Sequence, residues 1–156
     1  QAGAALRRRY PAGTAPHIQT QYGIRPGANN EEIAAHGDIV ILAIEPQILD
    51  EVIPLIAGYI KKDALIISVA AGYPIGNLAR LLPANARIIR AMPNTPSSVG
   101  TGVTALALRA GVTKKEQETA AAIFTSVGLV VTIEERLMDA VTGRGGSLPT
   151  LERVGS

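Results

Sequence analysis

Three short runs of apolar residues set the strongest limit on the fold of this chain. They cover residues 39–44 (IVILAI), 64–70 (ALIISVA) and 87–92 (RIIRAM), and each has the length of a β-strand. A strand that is apolar at nearly every position has both faces buried, which is typical of a parallel sheet covered by helices. Residues 46–60 and 74–83, which lie between the runs, have the apolar spacing and the prolines of helices.

The second half of the chain continues this alternation. Residues 102–112 (GVTALALRAGV) predict a fourth strand, in which Thr104 indicates a position nearer an edge of the sheet. Thr113 and Glu116 have the spacing of a capping box, which opens a helix. A last strand is predicted at 129–133 and a last helix at 134–141. The predicted fold class is therefore α/β, with a parallel sheet flanked by helices.

Composition excludes several classes of function. The 156 residues suffice for one domain, and with 3% aromatic residues its core must be aliphatic. A net charge of +2 and the scarcity of aromatic residues argue against a nucleic-acid partner. The absence of cysteine excludes disulfides, zinc–thiolate sites and thiol catalysis. No apolar run reaches the roughly 18 residues of a membrane span and no signal peptide is visible, so a cytoplasmic protein without a membrane partner is expected.

Clusters of catalytic or metal-binding side chains are not visible in the sequence. His17 and His36 lack an acidic or hydroxyl partner at catalytic spacing, and no group of acids and histidines predicts a metal site. Asp139 is interpreted as structural rather than catalytic.

Three segments that follow the predicted strands are candidates for ligand binding. They are AIEPQ at 43–47, AAGYP at 70–74 and AMPNTP at 91–96, and all are rich in small residues, glycine or proline. In α/β sheets, ligands bind beyond the carboxyl ends of the strands, so these segments should share one edge. Pro93 and Pro96 fix the backbone between them. Residues 92–96 are therefore predicted to be a rigid loop that faces a ligand.

These segments carry a family resemblance. DIVILAIEPQ, ISVAAG, RAMPNTPSSVGTGVTAL, SVG and LMDAVTG occur in that order and resemble pyrroline-5-carboxylate reductase over residues 22–142. The resemblance implies an oxidoreductase of proline biosynthesis that reduces 1-pyrroline-5-carboxylate to L-proline with NADPH (or NADH). It also implies an N-terminal Rossmann domain, followed by a helical domain through which family members form homo-oligomers.

The resemblance assigns roles to individual residues. It implies that cofactor contacts are made by Asn30, Ala43, Ile44, Pro46, Ala71, Met92 and Asn94. Two of these have another interpretation, since Asn30 can cap a helix and Ala71 can serve tight packing. Arg8 and Arg9 are candidates for binding the 2′-phosphate of NADP, although the run of three arginines can also be a solvated segment. Substrate contacts are implied for Thr95 and Ser147.

The chain also departs from the family pattern. The family has Lys where this chain has Glu45. A Rossmann domain opens with a strand, a Gly-rich turn and a helix, about 25 residues that find no match here. Residues 1–142 are accordingly interpreted as a truncated dinucleotide-binding domain, incomplete at its N-terminus, whose remaining strands lack a neighbour. Residues 143–156 are interpreted as a divergent or disordered tail where the helical dimerisation domain would begin.

Three functions therefore stay open. The first is a partial pyrroline-5-carboxylate reductase that is inactive as this isolated chain. The second is a non-catalytic remnant or interaction module that keeps a reductase-like sheet with open edges. The third is another NADP-dependent oxidoreductase, such as a coenzyme F420-dependent one, although MPNTP followed by GVTAL favours the proline enzyme.

Overall fold

The computed structural model describes residues 3–4, 19–94 and 102–143. The strands are β1 (Gly3–Ala4), β2 (Arg25–Pro26), β3 (Ile39–Leu42), β4 (Leu65–Ser68), β5 (Arg87–Asn94), β6 (Gly102–Leu108) and β7 (Gly128–Thr132). The helices are α1 (Asn30–His36), α2 (Pro46–Ile56), α3 (Ile75–Leu81), α4 (Lys114–Thr125) and α5 (Glu135–Gly143). The strands and helices predicted between residues 39 and 141 are all present, with ends that differ by a few residues.

The main sheet has the strand order β3-β4-β5-β6-β7. The pairs β3–β4, β4–β5 and β6–β7 are parallel, whereas β5 and β6 are antiparallel. The predicted α/β sheet is thus confirmed, with one antiparallel pairing. Only seven residues separate β5 from β6, too few for the helical crossover that a parallel pair needs. Strand β6, predicted from Thr104 to lie nearer an edge, is next to the edge strand β7 of the described sheet, but Thr104 itself is buried.

Helices cover both faces of the sheet and bury an aliphatic core. On one face, Leu49 and Ile53 of α2, Leu78 of α3 and Met138 of α5 pack with alternate residues of the strands such as Ile88. The intervening strand residues pack on the other face against α4 and share their cluster with Ala120, Ala121 and Phe124 of that helix. This two-sided burial is the reason that the strands are apolar at nearly every position.

Strand β3 is an edge of the five-stranded sheet within the described residues. Ile41, in its middle, is 46% exposed although its neighbours Val40 and Leu42 are buried. Strands β1 and β2 pair in parallel as a separate two-stranded sheet.

Side-chain caps fix where two of the helices begin. The predicted capping box is confirmed, because the Glu116 backbone N–H donates to Thr113 Oγ1 at 3.2 Å and the Thr113 N–H donates to Glu116 Oε2 at 2.9 Å. Helix α1 is capped by Asn29, whose Oδ1 accepts from the Glu32 N–H at 2.8 Å. The capping interpretation of Asn30 is therefore wrong, since Asn30 is already the first helical residue.

No helix in the described part of the chain is long and apolar enough to cross a membrane.

Candidate functional site

The carboxyl ends of β3, β4 and β5 lie at one edge of the sheet. The three strands are parallel, and Leu42, Ser68 and Arg90 are aligned across them. The segments that leave β3 and β4, together with the last residues of β5, therefore meet along this edge. We call this side of the sheet, formed by the carboxyl ends of the three strands, the β3–β5 edge; it is distinct from the outer strand β3 itself. It is the place that the sequence predicted for ligand binding.

The segment after β3 offers small and partly exposed residues. Ala43 is exposed, and Ile44 is half-buried and packs against the core of the sheet. Pro46 is the first residue of α2, and Glu45, which precedes it, makes no side-chain cap to this helix. The N-terminus of α2 thus begins at the β3–β5 edge with an exposed carboxylate beside it. A lysine at this position would favour a phosphate, and Glu45 does not.

The segment after β4 turns sharply. Ala70 is buried, Ala71 and Gly72 are exposed, and Gly72 has a φ of 68°. A side chain is disfavoured in that left-handed conformation, so glycine makes the turn. Because Ala71 is exposed, the packing interpretation of this residue is wrong. A Cβ added at Gly72 would meet no described atom within 4 Å. The turn therefore leaves room for a flat group beside the backbone.

The segment after β5 differs from its prediction. Met92 was predicted both to end this strand and to start a loop, and Pro93 and Asn94 were predicted to lie in the loop, but all three are the last residues of β5. Pro93 pairs with Thr104 of β6, and Asn94 pairs with Val103. The antiparallel neighbour extends the strand, which pairs Asn94 with β6 and leaves its side chain exposed at the β3–β5 edge. Met92 is buried beneath it.

Several of the predicted site residues fall elsewhere. Arg8, Arg9, Thr95 and Ser147 lie outside the described residues. Asn30 is half-buried at the start of α1, and the shallow depression beside that helix is lined by Asn29, Glu31, Glu32, Ala35 and Tyr59, a set without Asn30. Ala43, Ile44, Pro46, Ala71 and Asn94 are the ones that the described structure brings to the β3–β5 edge. No group of three or more acids and histidines in the described ranges could hold a metal ion.

A buried arginine beside this edge was not recognised in the sequence. Arg90 is 1% exposed in the centre of the sheet. Its Nη2 donates to Asp139 Oδ1 at 3.0 Å, and its Nη1 donates to Glu135 Oε1 at 3.3 Å. The contact agrees with the structural interpretation of Asp139. The signal that could have found Arg90 is a charge with apolar residues on both sides, Ile89 and Ala91, in the interior of a strand.

A buried tyrosine braces the turn after β4. The Tyr73 hydroxyl donates to Asp50 Oδ1 of α2 at 2.6 Å. Burial raises the pKa of Tyr73 to about 12, and the hydrogen bond to Asp50 and the charge of that carboxylate add to the shift. Tyr73 therefore stays protonated well above neutral pH and holds α2 close to Ala71 and Gly72.

The Tyr73→Phe variant should lose about 1 kcal/mol of stability at neutral pH, because the hydrogen bond to Asp50 is removed. The tyrosine pKa of 10.0 in the unfolded chain lies below the folded value of about 12. Its contribution is therefore fully present below pH 10 and is lost as the pH rises toward 12. Urea unfolding across this range should show that loss in the wild type and not in the variant. Equal pH profiles for the two proteins would contradict the assignment.

The fold and the β3–β5 edge define a Rossmann-like domain of the kind found in NADP-dependent oxidoreductases. The family model described as NADP oxidoreductase coenzyme F420-dependent matches residues 8–72. This model covers β2 to β4 and ends at the turn with Gly72.

Pyrroline-5-carboxylate reductases are similar to the chain over a longer stretch. The protein of that name from Synechocystis sp. is 43% identical over 133 residues, which cover 85% of this chain and 49% of the relative. The one from Escherichia coli is 36% identical over 132 residues, with the same coverage of 85% and 49%. The chain is therefore a homologue of pyrroline-5-carboxylate reductases, as its motifs predicted, and it spans about half the length of the curated relatives it matches.

Solved structures of pyrroline-5-carboxylate reductases have the same fold. The Coxiella burnetii protein matches with a TM-score of 0.80 and 28% identity, over 89% of this chain and 51% of that one. The Plasmodium falciparum protein, solved with NADP bound, matches with a TM-score of 0.75 and 28% identity, over 90% of this chain and 49% of its own. The predicted Rossmann-like fold is thus confirmed.

Proposed function

We propose that this chain supplies the cofactor-binding part of an enzyme that reduces 1-pyrroline-5-carboxylate to L-proline with NADPH or NADH. The observation that carries the proposal is the convergence of Ala43, Ala71 and Asn94 on the β3–β5 edge. Small exposed side chains at such an edge let the backbone approach a nucleotide closely. The similarity to pyrroline-5-carboxylate reductases supplies the substrate and the reaction.

Different residues at the β3–β5 edge would contact different parts of the cofactor. Ala43, Ile44 and Pro46 would line its ribose and pyrophosphate, whereas Ala71 and Asn94, with Met92 beneath, would frame the nicotinamide ring. When bound, NADPH or NADH would supply hydride to the imine carbon, and the imine nitrogen would take a proton. We assign no acid–base pair among the described residues of this edge to that proton transfer. The described residues would therefore act by orienting the two reactants and by excluding water.

Residues outside the described ranges complete the proposal. Thr95 directly follows Asn94 in the sequence, and we assign it with Ser147 to the substrate. Arg8 and Arg9 are assigned to the 2′-phosphate of NADPH. In this proposal, residues 1–142 are the dinucleotide-binding domain and residues 143–156 stand where the helical domain of a homo-oligomeric enzyme begins. We place the enzyme in the cytoplasm.

The test uses the full product of the gene that encodes this chain. With 1-pyrroline-5-carboxylate and NADPH, it should form proline and oxidise NADPH in equal amounts. The isolated 156-residue chain should show no turnover, because positioning of the substrate needs parts of the site beyond the β3–β5 edge. Turnover by the isolated chain would contradict that last expectation, and an inactive full product would contradict the proposed function.

One observation supports a second candidate function. The family model that matches residues 8–72 is described as coenzyme F420-dependent. Reduction of NADP by reduced F420, measured with the same full gene product, tests this candidate directly. Activity with F420 and none with the imine would favour it. Failure with both substrates would instead favour the non-catalytic module, which would use β3, the edge strand of the sheet within the described residues.

A further inference from the structure

Arg90 is a buried charge that protein stability alone does not explain. Alternate residues of a strand share one face, so Arg90 lies between Ile88 and Met92 beneath α3 and α5. Its Nε has no hydrogen-bond partner among the described residues. Replacement of a buried ion pair by apolar side chains is often neutral or stabilising. Apolar side chains in place of the whole set, Arg90 with Glu135 and Asp139, would thus serve the core about as well, so these ion pairs call for another reason.

The carboxylates around Arg90 connect three elements next to the β3–β5 edge. Glu135 and Asp139 lie one turn apart on α5, and each accepts one arm of the guanidinium. Glu135 Oε1 also accepts the backbone N–H of Ile75 at 2.7 Å, at the start of α3. Helix α3 directly follows the turn that holds Ala71 and Gly72. One guanidinium thus ties α5 to β5, and through Glu135 it reaches the beginning of α3.

We propose that Arg90 is a positioning residue, which sets the relation between the end of β5 and the end of α5. The chain continues from β5 directly into Thr95 and from α5 toward Ser147. Those two residues are the ones assigned to the substrate, so this inference rests on the proposed function. The side-chain ion pairs fix the ends of β5 and α5 before the imine binds. Less conformational freedom of the protein is therefore lost in the reaction step.

The test compares Arg90→Met and Arg90→Lys in the full gene product. In Arg90→Met, backbone amides of α5 should exchange at least about tenfold faster, whereas those of α4 should not change. The kcat/KM for the imine should fall by about 10- to 100-fold, mainly through KM, while the Kd of NADPH changes by less than about threefold. Arg90→Lys keeps the charge and should recover part of both effects.

Arg109→Met is the matched control. Arg109 lies just beyond β6 and donates through Nη1 and Nη2 to the backbone carbonyls of Ala86 and Ala84, in the segment before β5. Its removal should lower the melting temperature without a selective loss in kcat/KM for the imine. An equal kinetic loss in Arg109→Met would overturn the positioning role, because general destabilisation would then explain both variants.

Two further outcomes separate this inference from the proposed function. If the backbone amides of α5 exchange at the same rate in Arg90→Met as in the wild type, Arg90 does not hold α5 against β5, whatever the activity of the variant. A wild type without turnover would overturn the proposed function and the effect on substrate, while the exchange result still decides whether Arg90 holds α5. If Arg90→Met does not fold, Asp139→Ala removes the acceptor of Arg90 Nη2, and the same exchange measurement on α5 decides.

Discussion

The Gly128→Ala variant should lose about 3 kcal/mol or more of its free energy of unfolding. Gly128 opens β7 and pairs with Gly102, which opens β6. A Cβ at residue 128 would lie 2.6 Å from the carbonyl carbon of Gly102 and 3.0 Å from its Cα, and closer still to its oxygen. These are backbone atoms, so relief requires the two strands to move apart. The φ of 154° at Gly128 adds a conformation that alanine rarely adopts.

Two other glycines separate the steric effect from the backbone effect. Gly111 has a φ of 98° but open space around it, so Gly111→Ala should lose only about 1–2 kcal/mol, from strain. Gly76 lies in α3 with open space, so Gly76→Ala should gain about 0.5–1 kcal/mol. Urea unfolding of the three variants ranks them. A Gly128→Ala protein as stable as Gly111→Ala would show that the close approach of β6 and β7 is absent.

The main elements of the fold could be predicted because a strand buried on both faces has an uninterrupted run of apolar residues in the sequence. A strand such as β4 has helices above and below it, and so Leu65, Ile66 and Ile67 are apolar without alternation. Short apolar runs between helical patterns then allow little besides an α/β sheet. The capping box at Thr113 was equally direct, since both of its hydrogen bonds connect residues three apart.

The direction of β6 could not be predicted in this way. The residues of β6 are buried in the same manner whether it runs parallel or antiparallel to β5. The signal was the short connection between them, and the prolines in that segment were interpreted as marks of a ligand loop. For the same reason, Met92, Pro93 and Asn94 were predicted to lie in a loop, although pairing with β6 keeps them in β5.

In the candidate site, too, some features could be predicted from the sequence, whereas others depend on residues that are distant in the sequence. Ala43 and Ala71 could be placed at one edge because parallel strands end together, which follows from topology alone. The role of Arg90 could not be predicted, because its partners are 45 and 49 residues away in the sequence. A charge in an apolar strand indicates that partners exist, but only the packing of α5 on the sheet identifies them as Glu135 and Asp139.

The Ala71→Leu variant of the full gene product should bind NADPH at least about 30-fold more weakly, a loss of about 2 kcal/mol. Ala71 is exposed in the turn after β4, where its methyl group is assigned to the nicotinamide ring. A leucine side chain would fill the space that the ring needs. The exposed position adds little strain to the free protein, so the melting temperature should stay close to that of the wild type. Isothermal titration with NADPH measures the change.

Ala110→Leu provides a control that matches this change in local structure. Ala110 is also exposed and also precedes a glycine with positive φ, Gly111 at 98°, as Ala71 precedes Gly72 at 68°. Since β6 runs antiparallel to β5, Ala110 lies at the opposite edge of the sheet from Ala71. A loss of affinity in Ala71→Leu alone would place the cofactor at the β3–β5 edge. Equal affinity in both variants would remove Ala71 from the cofactor site, and equal losses in both would show that leucine in such a turn disturbs the whole domain.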